Sequence, residues 1–332
     1  MTFHESIAAD EAARFEEFAS EIVAIQRARA QKGGAVARAL HLKPHIGAVG
    51  ELTVEAPESG RAGVFASSGQ RWPVYVRFSN GSGTRQPDKG PDVRGFALKL
   101  VGVPGKKIIA GLEQEVTQDF LFIDQPALPF RDPDEFMAFV RAAKDGPLKL
   151  LPRLIGAFGL RHAFQILGGA LKANKVKSYA THAFHSAAPI SFGSGRAAKL
   201  GLFPVGNPPS PPTSGDDALR ADLTARLQAG PLTWALRAQL FQDDVTTPIE
   251  DTSVVWTGPW IDLGKLTLPR QDPESPRGRE ITALVEQFSF DPWHAIEEHR
   301  PLGAIMRARA VTYKGSVLER KAAAEPKSIP TP

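Results

Sequence analysis

Short strand-like segments, separated by glycine, proline and aspartate, limit the folds open to this chain more than any other feature. In the first third these segments are Gly50–Val54, Val74–Phe78, Gly95–Val101 and Phe120–Ile123. Branched and aromatic residues between turn-forming residues are typical of strands. Residues 178–204 alternate polar and apolar side chains and would return the chain to the sheet. Strands at Val254–Trp256 and Ile261–Leu268 would complete it.

Helices are predicted before the first of these strands and between later ones in the sequence, so the fold class is mixed α and β. Their ranges are 9–30, 131–144, 147–172 and 216–241. The first helix has apolar residues at helical spacing and would end at Gly33-Gly34, giving an N-terminal helix within residues 1–35. Residues 205–217 are rich in proline and are predicted to form an exposed loop. Since the candidate site residues below lie on both sides of that loop, we predict one domain over residues 1–332.

Composition excludes several classes of protein. A chain of 332 residues with 42% hydrophobic residues can bury a large core, and a net charge of +4 does not indicate nucleic-acid binding. The absence of cysteine excludes disulfides, zinc–thiolate sites and iron–sulfur clusters. The acidic N-terminus has no apolar stretch typical of a secretory signal, and no window approaches the ~18 apolar residues that span a bilayer. We therefore expect a cytoplasmic protein without a membrane span.

A motif near the end of the chain carries the most chemistry. Residues 309–320 read RAVTYKGSVLER, so Arg309 and Tyr313 lie one turn apart if the segment is helical. A guanidinium beside a phenol favours the ionised phenolate. A phenolate is one of the few side-chain groups that hold ferric haem. Of the three tyrosines, only Tyr313 has an arginine four residues before it and another, Arg320, seven residues after it. The alternative is an ordinary surface contact between the two side chains.

Two further motifs resemble the same family. Residues 38–54 read RALHLKPHIGAVGELTV, and residues 77–100 read RFSNGSGTRQPDKGPDVRGFALKL. The first is similar to the distal segment of haem catalases, and the second to their R-F-S segment. Residues 309–320 resemble their proximal segment. The chain thus resembles the catalase superfamily over roughly residues 36–321. The resemblance implies an α+β fold, a closed antiparallel β-barrel with surrounding helices, and no flavodoxin-like C-terminal domain.

The resemblance also implies a cofactor, haem b, and a role for each matching residue. Tyr313 would bind the haem iron from the proximal side, and Arg309 would keep it ionised. His41 would be the distal acid–base group, with Ser79 fixing its orientation by a hydrogen bond. The haem propionates would be met by Arg38, Arg77 and Arg320, since a guanidinium suits a carboxylate.

The remaining histidines are interpreted as structural. We place His45 in the second shell of the site or at the surface. His182 and His185 have a spacing that could suit a metal, but ordinary hydrogen-bonded side chains are favoured because no acidic partner is near. His294 and His299 precede the proximal segment and would help to position it. Asp92 and Arg94 are likewise interpreted as structural.

Three departures from the family pattern bear on the substrate. The family's distal asparagine is missing, because EVTQDFLFID places Thr117 or Gln118 in that neighbourhood. Gly81 stands where the family has a valine and is predicted to widen access to the haem. Leu40, before His41, differs from the threonine of the allene oxide synthase branch.

These observations predict a haem-dependent, catalase-related peroxidase that reduces hydrogen peroxide or organic hydroperoxides. Its partners would be the peroxide and an unknown electron donor, and it could form a homodimer. The nearer alternative is an enzyme that isomerises or cleaves fatty-acid hydroperoxides. A haem-binding sensor or carrier is a more distant alternative, and a non-haem barrel that binds apolar ligands would leave the motifs unexplained.

Overall fold

A computed structural model of the protein describes residues 2–31, 36–90, 92–143, 147–172, 176–207 and 214–332. For residues 147, 148 and 169–172 it describes the backbone alone. The predicted helix end at Gly33-Gly34 therefore lies outside the described residues, as do positions 208–213 of the proline-rich loop. The parts of that loop that are described, 205–207 and 214–217, contain neither helix nor strand.

An antiparallel sheet of nine strands forms the centre of the described structure. Its strands are β1 (Pro44–Val54), β2 (Arg71–Asn80), β3 (Arg94–Val101), β4 (Thr117–Ile123), β5 (Phe184–His185), β6 (Ile190–Ser191), β7 (Ala197–Pro204), β8 (Leu232–Leu240) and β9 (Trp260–Leu268). They are hydrogen-bonded in the order β5-β4-β3-β2-β1-β9-β8-β7-β6. Because β5 also pairs with β7, eight strands close into a barrel and β6 remains outside the ring.

Alternation along each strand separates the barrel interior from its outer face. On β2, Val74, Val76 and Phe78 are fully buried in the interior core, together with Phe96 on β3 and Trp234 on β8. Successive side chains of a strand point to opposite faces, so the intervening residues face outward. Every candidate residue on β2 is one of these outward residues.

Helices surround the barrel. They are α1 (Glu11–Ala30), α2 (Pro133–Ala143), α3 (Pro147–Phe158), α4 (Leu160–Lys172), α5 (Ala218–Ala229), α6 (Pro276–Gln287) and α7 (Ala304–Glu319). None of the described helices is long and apolar enough to cross a membrane. The predicted closed antiparallel barrel with surrounding helices is confirmed.

Two predicted elements are wrong. The helix expected over 216–241 ends at Ala229, and residues 232–240 form β8, because Gly230-Pro231 interrupts the helix and proline cannot continue it. No strand forms at Val254–Trp256, since side chains take the carbonyls that a neighbouring strand would use. The Val254 carbonyl accepts from Lys199 Nζ at 3.2 Å, and the Trp256 carbonyl accepts from Gln239 Nε2 at 3.1 Å.

Candidate functional site

His41 and Ser79 meet on the outer face of β2, as the sequence predicts. The Nδ1 atom of His41 lies 3.1 Å from Ser79 Oγ. His41 has a left-handed backbone with φ of 55°, which is uncommon outside glycine, and its N–H donates to the Gly81 carbonyl at 2.8 Å. This conformation turns the imidazole over the sheet and leaves Nε2 as the ring nitrogen available to a ligand.

Gly95 on β3 provides the space for the imidazole. A Cβ atom on this residue would lie 2.6 Å from His41 Cε1 and Nδ1 and 2.9 Å from Ser79 Oγ. Those distances are shorter than any normal van der Waals contact. A glycine is therefore required here if the ring is to lie flat against the strand.

We expect Gly95→Ala to displace the His41 ring while leaving the barrel folded. Displacing a catalytic group by about 1 Å can cost on the order of 10²-fold in rate, so the reaction with peroxide should fall by at least about ten-fold. Stopped-flow mixing with peroxide measures the rate, and circular dichroism checks the fold. Ala97→Gly, two residues along the same outer face, is the matched control. A Gly95→Ala variant with the wild-type rate would show that the ring position does not matter.

Three arginines gather beside the imidazole, around the end of α6. Arg77 Nε donates to Glu286 Oε1 at 2.6 Å, and a second Arg77 nitrogen donates to the His41 carbonyl at 2.9 Å. Arg38 and Arg320 each donate to the Phe288 carbonyl, at 2.7 and 2.6 Å. The three predicted propionate ligands are thus brought together, although Arg77 already has a carboxylate partner.

The arginine group carries more positive than negative charge. Three guanidinium groups face one carboxylate, which leaves two positive charges. Burial, then Arg77 and Arg320, holds the pKa of Arg38 well below its usual value, and burial followed by Arg77 lowers that of Arg320 to about 10. Burial alone would raise the pKa of Glu286, but Arg77 holds it below its usual value. The buried Arg38 Nε has no hydrogen-bond partner. Such an environment suits an anionic ligand.

Helix α7 brings Arg309 and Tyr313 to the same region. Arg309 donates to the Tyr313 hydroxyl at 2.8 Å, and its guanidinium carbon lies 4.9 Å from the centre of the phenol ring. The charge of Arg309 is one of the causes that lower the pKa of His41, so Arg309 lies close enough to act on the imidazole. The predicted distal and proximal residues therefore lie within electrostatic range of one another.

Comparison with known proteins identifies the family. The family model for catalase matches residues 24–158. A catalase-related peroxidase of Mycolicibacterium paratuberculosis is 29% identical over 271 residues, covering 75% of this chain and 78% of that protein. Catalase HPII of Pseudomonas aeruginosa is 38% identical over 93 residues, 28% of this chain and 12% of that protein.

Solved structures agree on the fold. A fungal catalase superposes with a TM-score of 0.70 at 20% identity, covering 89% of this chain and 62% of that one. Catalase A of Saccharomyces cerevisiae gives 0.68 at 18% identity, with 88% and 63% covered. Together with the family model and the two relatives, these structures support placing the chain in the catalase superfamily. It spans about three fifths of the length of these solved catalases, and the family match indicates an oxidoreductase enzyme.

Members of the catalase family typically bind haem, and the residues present here fit one. A tyrosine beside an arginine offers an oxygen ligand to iron. The two excess positive charges of the arginine group match the two carboxylates of a haem, and the orphaned Arg38 Nε is a donor for one of them. His41 keeps accessible surface although burial lowers its pKa to about 3, a combination expected of a side chain that faces an internal space.

The two residues expected in place of the distal asparagine bind elsewhere. Thr117 Oγ1 donates to Glu325 Oε2 at 2.8 Å. The Gln118 amide accepts from the Ile296 N–H at 3.0 Å and donates to the Asp119 carbonyl at 3.3 Å. Neither residue is hydrogen-bonded to His41. Neither Thr117 nor Gln118 therefore provides a side-chain amide that is hydrogen-bonded beside His41.

The widening of access predicted from Gly81 stays a prediction, and the structure shows which residues surround this glycine. A Cβ atom there would lie 3.1 Å from Val93 Cβ and 3.0 Å from the Val93 carbonyl oxygen. Val93 thus fills, from the neighbouring loop, the space in which a side chain at residue 81 would lie. The glycine therefore allows the residues before β3 to approach the end of β2 closely.

The other histidines are structural where the described contacts define them. His45 is completely buried, so a surface position is wrong, and its Nε2 lies 2.8 Å from Asn80 Oδ1. His299 Nε2 accepts from the Val64 N–H at 3.1 Å. Within the part of the chain described here, no group of three or more potential ligands could hold a metal ion, and the structural interpretation of His182 and His185 stays a prediction. Arg94 also stabilises the loop, donating to Asn80 Oδ1 at 2.7 Å, while Asp92 accepts from Gln86 at 3.0 Å.

Sequence reasoning missed a buried charged network on the same outer face. Lys99 Nζ donates to Asp119 Oδ1 at 2.7 Å and to Glu325 Oε2 at 2.6 Å, and His294 Nδ1 lies 3.3 Å from Asp119 Oδ2. Lys99 and Asp119 are direct partners in the β3–β4 pairing, so the strand register could have revealed that pair. Glu325 comes from the segment after α7 and gave no signal. The network gives His294 buried charged partners, and its predicted role in positioning the proximal segment stays a prediction.

Proposed function

We propose that this member of the catalase superfamily is a haem b-dependent peroxidase that reduces hydrogen peroxide or organic hydroperoxides. The observation that carries the proposal is the position of the His41 imidazole. Ser79 orients this ring, and the ring lies close enough to Arg309, the partner of Tyr313, for the arginine charge to lower its pKa. The similarity to a protein named a catalase-related peroxidase over most of both chains supports this activity over that of a large catalase.

The chain's own residues would divide the binding of haem between them. The Tyr313 oxygen would hold the iron, and the Arg309 hydrogen bond would favour the ionised oxygen. Arg38 and Arg320 would bind the propionates, while Arg77 is paired with Glu286 and would contribute its charge. When bound, haem supplies the redox chemistry by which a peroxide is reduced to water or to an alcohol.

His41 would move the proton. Burial first, and then Arg77, Arg309 and Arg38, lower the pKa of its imidazole to about 3, so the ring is neutral at physiological pH. A neutral imidazole can take a proton from the bound peroxide and return it to the leaving oxygen. Because Ser79 fixes Nδ1, the nitrogen that exchanges this proton would be Nε2.

The contacts of Thr117 and Gln118 favour a peroxidase over a catalase. An amide at this point would help to polarise the small peroxide, and here Thr117 and Gln118 are engaged elsewhere. Dismutation of hydrogen peroxide should therefore be weak. The electron donor and a homodimeric state stay predictions, as do the alternatives of a lipid hydroperoxide isomerase or lyase and of a haem-binding sensor.

The test gives the haem-loaded protein a peroxide with and without a chromogenic electron donor. We expect donor-dependent reduction of hydrogen peroxide and of cumene hydroperoxide to exceed oxygen release from hydrogen peroxide. Rapid oxygen release without donor turnover would assign the protein as a catalase. Donor-independent rearrangement of a polyunsaturated fatty-acid hydroperoxide would assign it as an isomerase or lyase, and no turnover in any assay would favour the sensor or carrier.

A further inference from the structure

The hairpin formed by α3 and α4 has a surface that the proposed chemistry does not use. The two helices meet at Gly159, whose φ of 77° allows the chain to reverse direction. Their inner side is buried against α2, where Leu154, Ala163 and Ile166 pack with Phe130 and Ala142. The inner side of the hairpin is therefore covered by the rest of the protein, and only its outer side is open to a partner.

The outer side exposes large apolar side chains together with basic ones. Leu160 is 60% exposed and Phe164 is 55% exposed, and the two lie one turn apart on α4. No other two exposed large hydrophobic residues in the described part of the chain are related in this way. Arg153 on α3 and Arg161 on α4 are exposed as well. Exposed apolar residues on one surface mark a site of interaction more often than scattered ones do.

The sequence of this hairpin is basic. The sequence contains no aspartate or glutamate from Gly146 to Gly215, while residues 146–177 contain six lysines and arginines. Exposed leucine and phenylalanine together with lysine and arginine are typical of helices that lie in the interface of an anionic bilayer. Cytoplasmic membrane surfaces are negative, and each nearby lysine or arginine adds attraction.

The hairpin is also close to the candidate site. Phe136 on α2 packs against the α3–α4 cluster, and it packs as well against Ile305 and Met306 at the start of α7. A cavity of about 400 Å³ lies where the end of α3 meets the start of α4 and is lined by Arg131, Phe158, His162, Gln165 and Ser253. One layer of side chains thus separates the hairpin from the helix that carries Tyr313.

We propose that the outer surface of the α3–α4 hairpin binds anionic phospholipid bilayers, with Leu160 and Phe164 entering the interface and Arg153 and Arg161 facing the headgroups. Such binding would bring the protein to the place where lipid hydroperoxides form. That consequence rests on the proposed function, whereas the binding itself does not. The two can fail separately, because binding is measured without peroxide.

Co-sedimentation with phosphatidylcholine vesicles, with and without phosphatidylglycerol, tests the proposal on the full chain. We expect binding only when phosphatidylglycerol is present, and weaker binding at high salt. Phe164→Asp should lower the partition coefficient by about ten-fold or more, because a charge replaces the inserted ring. Val245→Asp is the matched control, since Val245 is 83% exposed on a loop and gives the same change in net charge.

A second variant tests the charged part of the surface. Arg153→Gln with Arg161→Gln should weaken binding to phosphatidylglycerol vesicles by about ten-fold or more while leaving the apolar residues in place. Equal binding to both kinds of vesicle, no binding, or an unchanged Phe164→Asp variant would overturn the proposal. A wild-type dimer that Phe164→Asp converts to a monomer in solution would instead assign this surface to contact between two copies of the chain.

Discussion

Replacing Tyr313 with phenylalanine is expected to remove nearly all of the haem from the purified protein. The substitution deletes the one atom proposed to bind iron and leaves the ring and the helix unchanged. Arg309 would lose the acceptor that now lies 2.8 Å from its guanidinium. The measurements are the visible spectrum and the ratio of haem to protein after reconstitution.

Tyr75→Phe is the matched control for this substitution. The Tyr75 hydroxyl donates to the Ser328 carbonyl at 3.0 Å, and its ring packs against Phe288, so the same atom is lost at a different place on the outer face. This variant should keep its haem. If Tyr313→Phe retained the wild-type spectrum, Tyr313 would not be the ligand. If the folded wild type stayed colourless after reconstitution, the proposed cofactor would be wrong.

His41→Ala is expected to slow the reaction with peroxide by about 10²–10⁴-fold, which is the usual contribution of general acid–base catalysis. Haem content should stay close to that of the wild type, because the imidazole is not proposed to bind iron. His182→Ala is the control, since His182 lies against Phe184 and makes only a long hydrogen bond, 3.4 Å, to the Asp124 carbonyl. Stopped-flow absorbance measures the rate for each variant.

The pH dependence of the wild type provides a second readout for His41. A histidine with its pKa lowered to about 3 stays neutral as the pH falls through the ordinary value of 6.5, so its base form persists. The peroxide rate should therefore be constant across that range. A loss of rate centred near pH 6.5 would show that the reacting base has an ordinary pKa, and His41 would then be the wrong residue.

The sequence predicted those parts of the site that lie close together along the chain. Arg309 and Tyr313 are four residues apart on one helix, so helical geometry alone brings them together. Residues 77 and 79 share one face of β2 because side chains alternate along a strand. The pairing of His41 with Ser79 needed the family resemblance, since neither spacing nor periodicity joins two residues from different segments.

Contacts between distant segments could not be predicted. Glu286 lies 209 residues after Arg77 and is engaged with it through two hydrogen bonds. Glu325 accepts hydrogen bonds from Lys99, which is 226 residues earlier in the chain, and from Thr117, which is 208 residues earlier. A single sequence shows a charged residue but not its partner. The predicted helix over 216–241 is wrong for a local reason, because Gly230-Pro231 ends the helix after Ala229.

The closure of the barrel gives it one weak line. Strand β5 has two residues and joins β4 through a single residue pair, Ile123 with His185, and β7 through two pairs. By contrast, β3 and β4 share seven pairs. Proteins open first where few hydrogen bonds must break, so the amides of residues 184 and 185 should exchange with solvent earlier than those of the central strands. Opening of the barrel is therefore expected to begin at β5, and the remaining seven strands of the ring would then form a continuous curved sheet.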